Sequence, residues 1–184
     1  MILEITQYGN PVLRKRCRSV EKIDETIIKL SKNMVETMVD ANGVGLAAPQ
    51  IGEALRMAVV DVSHDPECVS FFKVNGEDAK MEDYMPLIFI NPELELDGPK
   101  EGDSEGCLSI HEVRASVKRP SIVKATLPLI DGSTIELETD GLLARAIQHE
   151  VDHLNGILFV DRLSPAAKVS VKRKLRRLAA HENG

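Results

Sequence analysis

His149 and His153 stand four residues apart, with Glu150 beside the first, in a segment whose apolar residues recur at helical spacing. Four residues of α-helix advance the chain by about 400°, so both imidazoles leave one face, one turn apart, within reach of a single metal ion. A bound divalent metal lowers the pKa of its water toward neutrality, and a carboxylate as near as Glu150 can take the proton. The same helix must also pack. At 100° per residue, Leu142, Ala146, His149, Glu150 and His153 share one side, and Leu143, Ile147, Val151 and Leu154 form an apolar stripe beside it. The spacing predicts a stripe laid on a sheet, a metal face turned into a cleft, and Arg145, Gln148, Asp152 and Asn155 turned to solvent. Gly156 can end the helix.

Two histidines do not make a catalytic site, because a structural metal site fills every position with protein ligands. The third ligand decides. A third histidine six residues beyond the second is ruled out by Phe159, and the stretch after Asp161 is dominated by Lys168, Lys172, Arg173, Lys174, Arg176 and Arg177, with Glu182 near the chain end. The ligand is therefore sought upstream, where Glu105, Gly106, Cys107, Leu108 and Ser109 give the best candidate. A thiolate is a strong ligand for iron or zinc, and Gly106 lets backbone approach closely. The alternative for Cys107 is a buried thiol acting as a small hydrophobe, a role that suits Cys17 and Cys68. A third segment, Gly43, Val44, Gly45, Leu46, Ala47, Ala48, Pro49 and Gln50, removes side chains that would hold a ligand at a distance and ends in an amide donor. Taken alone it is equally an ordinary loop.

Elsewhere, Asp24 can cap a packing helix carrying Ile27, Ile28, Met34, Val35, Met38 and Val39 and ending by Gly43. A buried strand is expected over 55–62. An acidic excursion follows over 64–83, with Asn75-Gly76 as a hairpin signal. Further strands are expected over 87–90, 93–96, 113–118, 122–129 and 134–138, the last two joined at Asp131-Gly132. The fold class is α+β: short antiparallel or mixed strands around a central HExxH helix, with an N-terminal packing helix and a basic C-terminal helix over about 164–180. The 184 residues suit one domain, 1–184, without repeats or low-complexity linkers.

Three cysteines are too few and too odd for a disulfide framework and fit a reducing compartment. With no signal-like N-terminus and no apolar run of spanning length, a soluble cytoplasmic protein without membrane partners is expected. The net charge of −6 argues against a DNA binder, although the C-terminal segment is locally basic. Ser164-Pro165 can start that helix, and Val171, Leu175 and Leu178 form a stripe opposite its basic residues.

The three motifs in this order resemble those of peptide deformylases, GxGLAAxQ, EGCLS and HExxH, and the resemblance runs from Tyr8 through Pro165. It implies that Cys107, His149 and His153 bind one divalent metal, ferrous iron first, with Zn2+, Ni2+ or Co2+ as substitutes. It implies that Glu150 is the general acid/base, that Gln50 and the Leu108 N–H stabilise the oxyanion, and that Val44, Gly45, Gly106 and Arg114 line the peptide cleft. Leu142 and Ala146, on the metal face, would accept the methionine side chain. The implied reaction is removal of the formyl group from the formylmethionine of nascent polypeptides, with metal-activated water attacking the formyl carbon and formate leaving. The alternative is an endopeptidase built on the same helix. A C-terminal helix of this kind further implies contact with the ribosome near its peptide exit, against the alternative of a solvated amphipathic helix. Two departures stand out: His111 occupies the position of a proline common in the family, and the acidic excursion is long. His111 is expected to lie outside the metal's ligands.

Overall fold

The computed structural model describes residues 1–184, and its elements follow the sequence periodicities with few exceptions. In chain order they are α1 (Glu25–Asp40), β1 (Gly45–Ala47), β2 (Met57–Val60), β3 (Phe72–Val74), β4 (Glu77–Asp78), β5 (Leu87–Ile90), β6 (Glu93–Cys107), β7 (Ile110–Pro128), β8 (Thr134–Asp140), α2 (Gly141–Leu154) and α3 (Pro165–Glu182). Every ladder is antiparallel. Three strands form one sheet in the order β1-β2-β5, and five form the other in the order β4-β3-β8-β7-β6. A bridge between Phe89 and Leu129 ties the two sheets together.

The α2 stripe is the keel of the fold. Leu143, Ile147 and Leu154 are fully buried and Val151 nearly so, packed with Val60, Phe89, Leu127 and Leu137 in a core shared by both sheets. Each such side chain contributes about 1.5–3 kcal/mol by leaving water. On α1, which Asp24 caps at the Ile27 N–H, Ile27, Met34 and Met38 are buried against β2, whereas Ile28 and Val39 are exposed because they fall outside the stripe. The C-terminal helix begins where Ser164 caps it. Val171 is buried and Leu175 and Leu178 pack beside Leu13, Phe159 and Leu163, so the apolar stripe of α3 is covered by the protein itself.

Two differences from the sequence expectation concern length and connection. Instead of a short strand over 93–96 and separate strands over 113–118 and 122–129, β6 and β7 form one long ribbon, broken only by irregularities between Asp97 and Lys100 and between Glu105 and Cys107. The polar, glycine-bearing sequence of β6 hides this, because most of its face is open to solvent and shows no apolar alternation. The second break lies where the EGCLS motif leaves the ladder, so the ribbon delivers Cys107 at its tip. The excursion over 64–83 does contain the expected hairpin, β3 to β4, turning at Asn75 and Gly76 in the left-handed region. Its first part is locked onto the start of α2: Asp140 accepts from the Ser70 and Phe71 N–H groups, and Gly141, at φ +58°, lies where a Cβ would fall 1.9 Å from the Cys68 carbonyl oxygen. Cys68 is exposed, contrary to the buried role expected of it, while Cys17 is buried.

Candidate active site

Three segments distant in sequence meet over α2: β1 with the turn that follows it, the end of β6, and the metal face of the helix. They enclose a cleft of about 390 Å³. Of the twelve residues marked by sequence, eleven line it: Val44, Gly45, Gln50, Gly106, Cys107, Leu108, Arg114, Leu142, Ala146, His149 and Glu150. His153 lies behind them, buried, with Nε2 3.4 Å from Cys107 Sγ. The ligand atoms of Cys107, His149 and His153 all lie within 4.8 Å of one another. That spread of one thiol and two imidazoles suits a single transition-metal ion. His111 is exposed and outside this group, as expected.

Glu150 is buried beside the donors, and its Oε1 has no protein partner. Burial, reinforced by the charges of Glu105 and Asp152, pushes its carboxyl up to about 7 despite the favourable charges of His149 and Arg119. A carboxyl poised near neutrality and free of protein hydrogen bonds on one oxygen is suited to pick up and hand on a proton. Gly45 makes room for it, since a Cβ there would stand 2.6 Å from Glu150 Oε2. Gln50 is anchored by the Ala47 N–H, which donates to its Oε1 at 2.9 Å. Its Nε2 donates to Ser109 Oγ at 3.1 Å and reaches Cys107 Sγ at 3.5 Å.

The largest correction concerns the supposed solvent face of α2. Asp152 and Gln148 are buried, Arg145 is largely covered, and Asn155 accepts from Arg56 at 3.0 Å. Their cover is the β6–β7 ribbon, which brings the buried Arg119 across the helix. Arg119 grips Glu105 with two donors, at 2.6 and 2.9 Å, and donates to Asp152 at 2.9 Å. Arg145 also donates to Glu105 at 2.7 Å, and Arg162 makes two bonds to Asp152, at 2.6 and 2.7 Å. Gln148 donates to the Pro120 carbonyl at 2.9 Å. A polar helix position reads as exposed unless its partner is known, and Arg119 sits in a strand 33 residues from Asp152.

This network reaches the metal donors through one bond. Glu105 Oε1 pairs with His149 Nδ1 at 2.9 Å, which fixes the ring and leaves Nε2 for the cleft. Phe159, the residue that closes the downstream-histidine route, stacks near the same ring at a centroid distance of 6.1 Å. Burial works against ionisation of Glu105, but bonds from His149 and Arg119 outweigh it and hold the carboxyl well below its ordinary range. Burial likewise opposes a charge on His149, yet Cys107 and Glu105 raise its pKa well above the ordinary value. Burial and the neighbouring His149 charge push His153 down. Glu105, Arg119, Asp152 and Ser109 were all missed as site residues from sequence. Glu105 and Ser109 stand within the EGCLS motif and Asp152 precedes His153, so sequence position could have pointed to these three, but nothing in the sequence marks Arg119.

A helix presenting two imidazoles and a buried carboxyl to a thiol, under an amide donor, has the arrangement of a metal-dependent hydrolase. The sequence model of the family described as polypeptide deformylase matches residues 2–169. A peptide deformylase of Clostridium botulinum is 49% identical over 159 residues, covering 86% of this chain and 94% of the relative. One from Methylacidiphilum infernorum is 41% identical over 182 residues, covering 99% and 95%. The crystal structure of a peptide deformylase from Legionella pneumophila superposes with a TM-score of 0.80 at 36% identity, covering 100% of this chain and 98% of that one. The chain belongs to the peptide deformylase family, enzymes that hydrolyse N-formyl-methionine peptides. The family is one of metalloenzymes, and the donors here fit that requirement.

Replacing Glu105 by Gln should cost about 3–5 kcal/mol, because Arg119 and Arg145 would face a neutral amide in a buried site. The pH dependence carries the sign. The folded pKa lies below the ordinary value of 4.5, so the wild-type contribution is complete above that value and is lost as pH falls through and below it. Denaturant titrations at pH 7 and pH 3 should show a large gap between wild type and Glu105→Gln at pH 7 that narrows at pH 3. An unchanged gap would contradict the assignment.

Proposed function

We propose that this chain removes the formyl group from the N-terminal formylmethionine of nascent polypeptides, releasing formate and a free α-amine, as one catalytic unit spanning 1–184. The observation that carries the reading is the buried Glu150, with one unpartnered oxygen, beside three clustered donor atoms in a cleft. Cys107, His149 and His153 would hold one divalent ion, ferrous iron first, with zinc, nickel or cobalt able to replace it. When bound, the ion supplies Lewis acidity, lowering the pKa of a water and drawing charge from the formyl oxygen.

The chain's own residues do the rest. Glu150 takes a proton from the attacking water and returns it to the amine nitrogen as the C–N bond breaks. Gln50 Nε2 and the Leu108 N–H share the negative charge that gathers on the formyl oxygen, which requires the Gln50 amide to share its bond with Cys107. Leu142 and Ala146, on the cleft face of α2, take the methionine side chain. Val44, Gly45 and Gly106 offer backbone to an extended peptide, and Arg114 stands at the rim. Glu150 lies so close to Gly45 that a Cβ there would meet it, and crowding of this kind at the reacting carbon would favour a formyl hydrogen over a larger acyl group.

No helix is long and apolar enough to cross a membrane. We place the enzyme in the cytoplasm, where nascent chains emerge. Because the stripe of α3 is covered by the protein's own core, contact with the ribosome would use the exposed basic residues Lys172, Arg173, Arg176 and Arg177.

Iron-loaded protein, prepared without oxygen, should release formate from a formyl-Met dipeptide and leave internal peptide bonds intact. Glu150→Ala should lower kcat by about 10²–10⁴, and Gln50→Ala by about 10²–10³. Absence of formate from loaded wild type would overturn the reading. For the ribosome, reversing Arg173 and Arg177 to Glu should abolish co-sedimentation while formate release stays at the wild-type rate. Unchanged co-sedimentation would remove the docking surface.

A further inference from the structure

The N-terminal segment carries no motif and lies outside the cleft lining, yet three consecutive residues bind both loops that supply the oxyanion donors. The Thr6 N–H donates to the Gln50 carbonyl at 2.7 Å, and the Tyr8 N–H donates to the Ser109 carbonyl at 2.7 Å. Between them, Gln7 Nε2 donates to the Leu108 carbonyl at 3.1 Å and to the Ile5 carbonyl at 3.2 Å. Ser109 closes the circuit, since its buried Oγ accepts from Gln50 Nε2 at 3.1 Å.

Two of these contacts are made by main chain, which any side chain would preserve. The Gln7 amide is the exception. Its orientation is set by two carbonyl oxygens, both of which demand the NH₂ side, and its Oε1 is left buried with no protein partner. A buried, unpaired amide oxygen is a liability that an apolar side chain of equal length would remove. What such a side chain could not do is hold the Leu108 carbonyl. With that carbonyl free, the Leu108–Ser109 peptide can turn, carrying Ser109 Oγ away from Gln50.

We infer that Gln7 is a positioning residue for deformylation: through the Leu108 carbonyl it holds the Leu108–Ser109 peptide so that Ser109 Oγ keeps the Gln50 amide in one fixed arrangement. Gln7 lies outside the cleft lining, its amide bonds only the Ile5 and Leu108 carbonyls, and it acts through residues that line the cleft. The inference rests on the reading of Gln50 as an oxyanion donor. A preorganised donor strengthens charge developing in the transition state more than the bound substrate, so loss of the strap falls on kcat more than on KM.

The test uses the full-length, metal-loaded enzyme and a formyl-Met dipeptide, with rates expressed per bound metal. Gln7→Met, equal in length without a donor, should lower kcat about tenfold at unchanged KM and metal content. Gln7→Glu, equal in shape, should lower it further, because a carboxylate would face two carbonyl oxygens, and it serves also if the Met variant folds poorly. In a Gln50→Ala background the same Gln7→Met change should cost less than about twofold, since the two then share one lost function. Wild-type kcat per bound metal in both variants, whatever happens to Tm, would overturn the inference, as would an undiminished effect in the Gln50→Ala background. If wild type releases formate and Gln50→Ala loses it while Gln7 variants do not, the strap fails and the parent reading stands. If wild type releases none, both fall.

Discussion

Glu105, Arg119 and Asp152 form a buried run of charge on which the meeting of Cys107, His149 and His153, and the helix beneath them, depend. The geometry explains why a charged group is kept in the core. Glu105 lies in β6 two residues before Cys107, Asp152 immediately precedes His153, and Arg119 bonds both. One guanidinium therefore sets the distance between the strand that carries the thiol and the helix that carries the imidazoles. An apolar trio of equal volume can pack as well and even be more stable, because buried ion pairs seldom recover their full desolvation cost. It would not orient His149, whose Nδ1 is held by the same Glu105 carboxylate.

The rest of the fold serves that placement. The apolar stripe of α2 fixes the helix on two sheets, the β6–β7 ribbon ends at the thiol, and the turn after β1 brings Gln50 over both. Charge is then sorted by burial. Glu105 is held ionised by its donors, while Glu150, buried at nearly the same depth with no such partners, is pushed up to about 7. Two carboxylates of one site are thus driven apart, one held charged within the scaffold and one left to titrate near neutrality.

Much of this was legible in the sequence where one period or one motif carried it. The stripe Leu143, Ile147, Val151 and Leu154 gave the buried face of α2, and the three motifs, the metal face of the helix and the family resemblance together marked eleven of the residues that line the cleft and the one behind it. The solvent side of that helix was misread, since Gln148 and Asp152 look exposed until Arg119 and Pro120 are brought against them. A partner distant in sequence leaves no periodic trace. The long ribbon was likewise hidden, because an exposed two-stranded arm needs no apolar alternation. The N-terminal strap is the extreme case, made of main-chain bonds and one glutamine that no pattern distinguishes.

The central claim is that the carboxylate network orients the metal donors as well as supporting the fold. Metal affinity measured by competition with a chelator separates the two roles. Glu105→Gln should weaken binding about 10–100-fold, whereas a core variant of similar stability loss away from the cleft, such as Leu137→Ala, should leave affinity unchanged. If affinity fell equally in both, following stability alone, or held at the wild-type value in Glu105→Gln, the account would be contradicted.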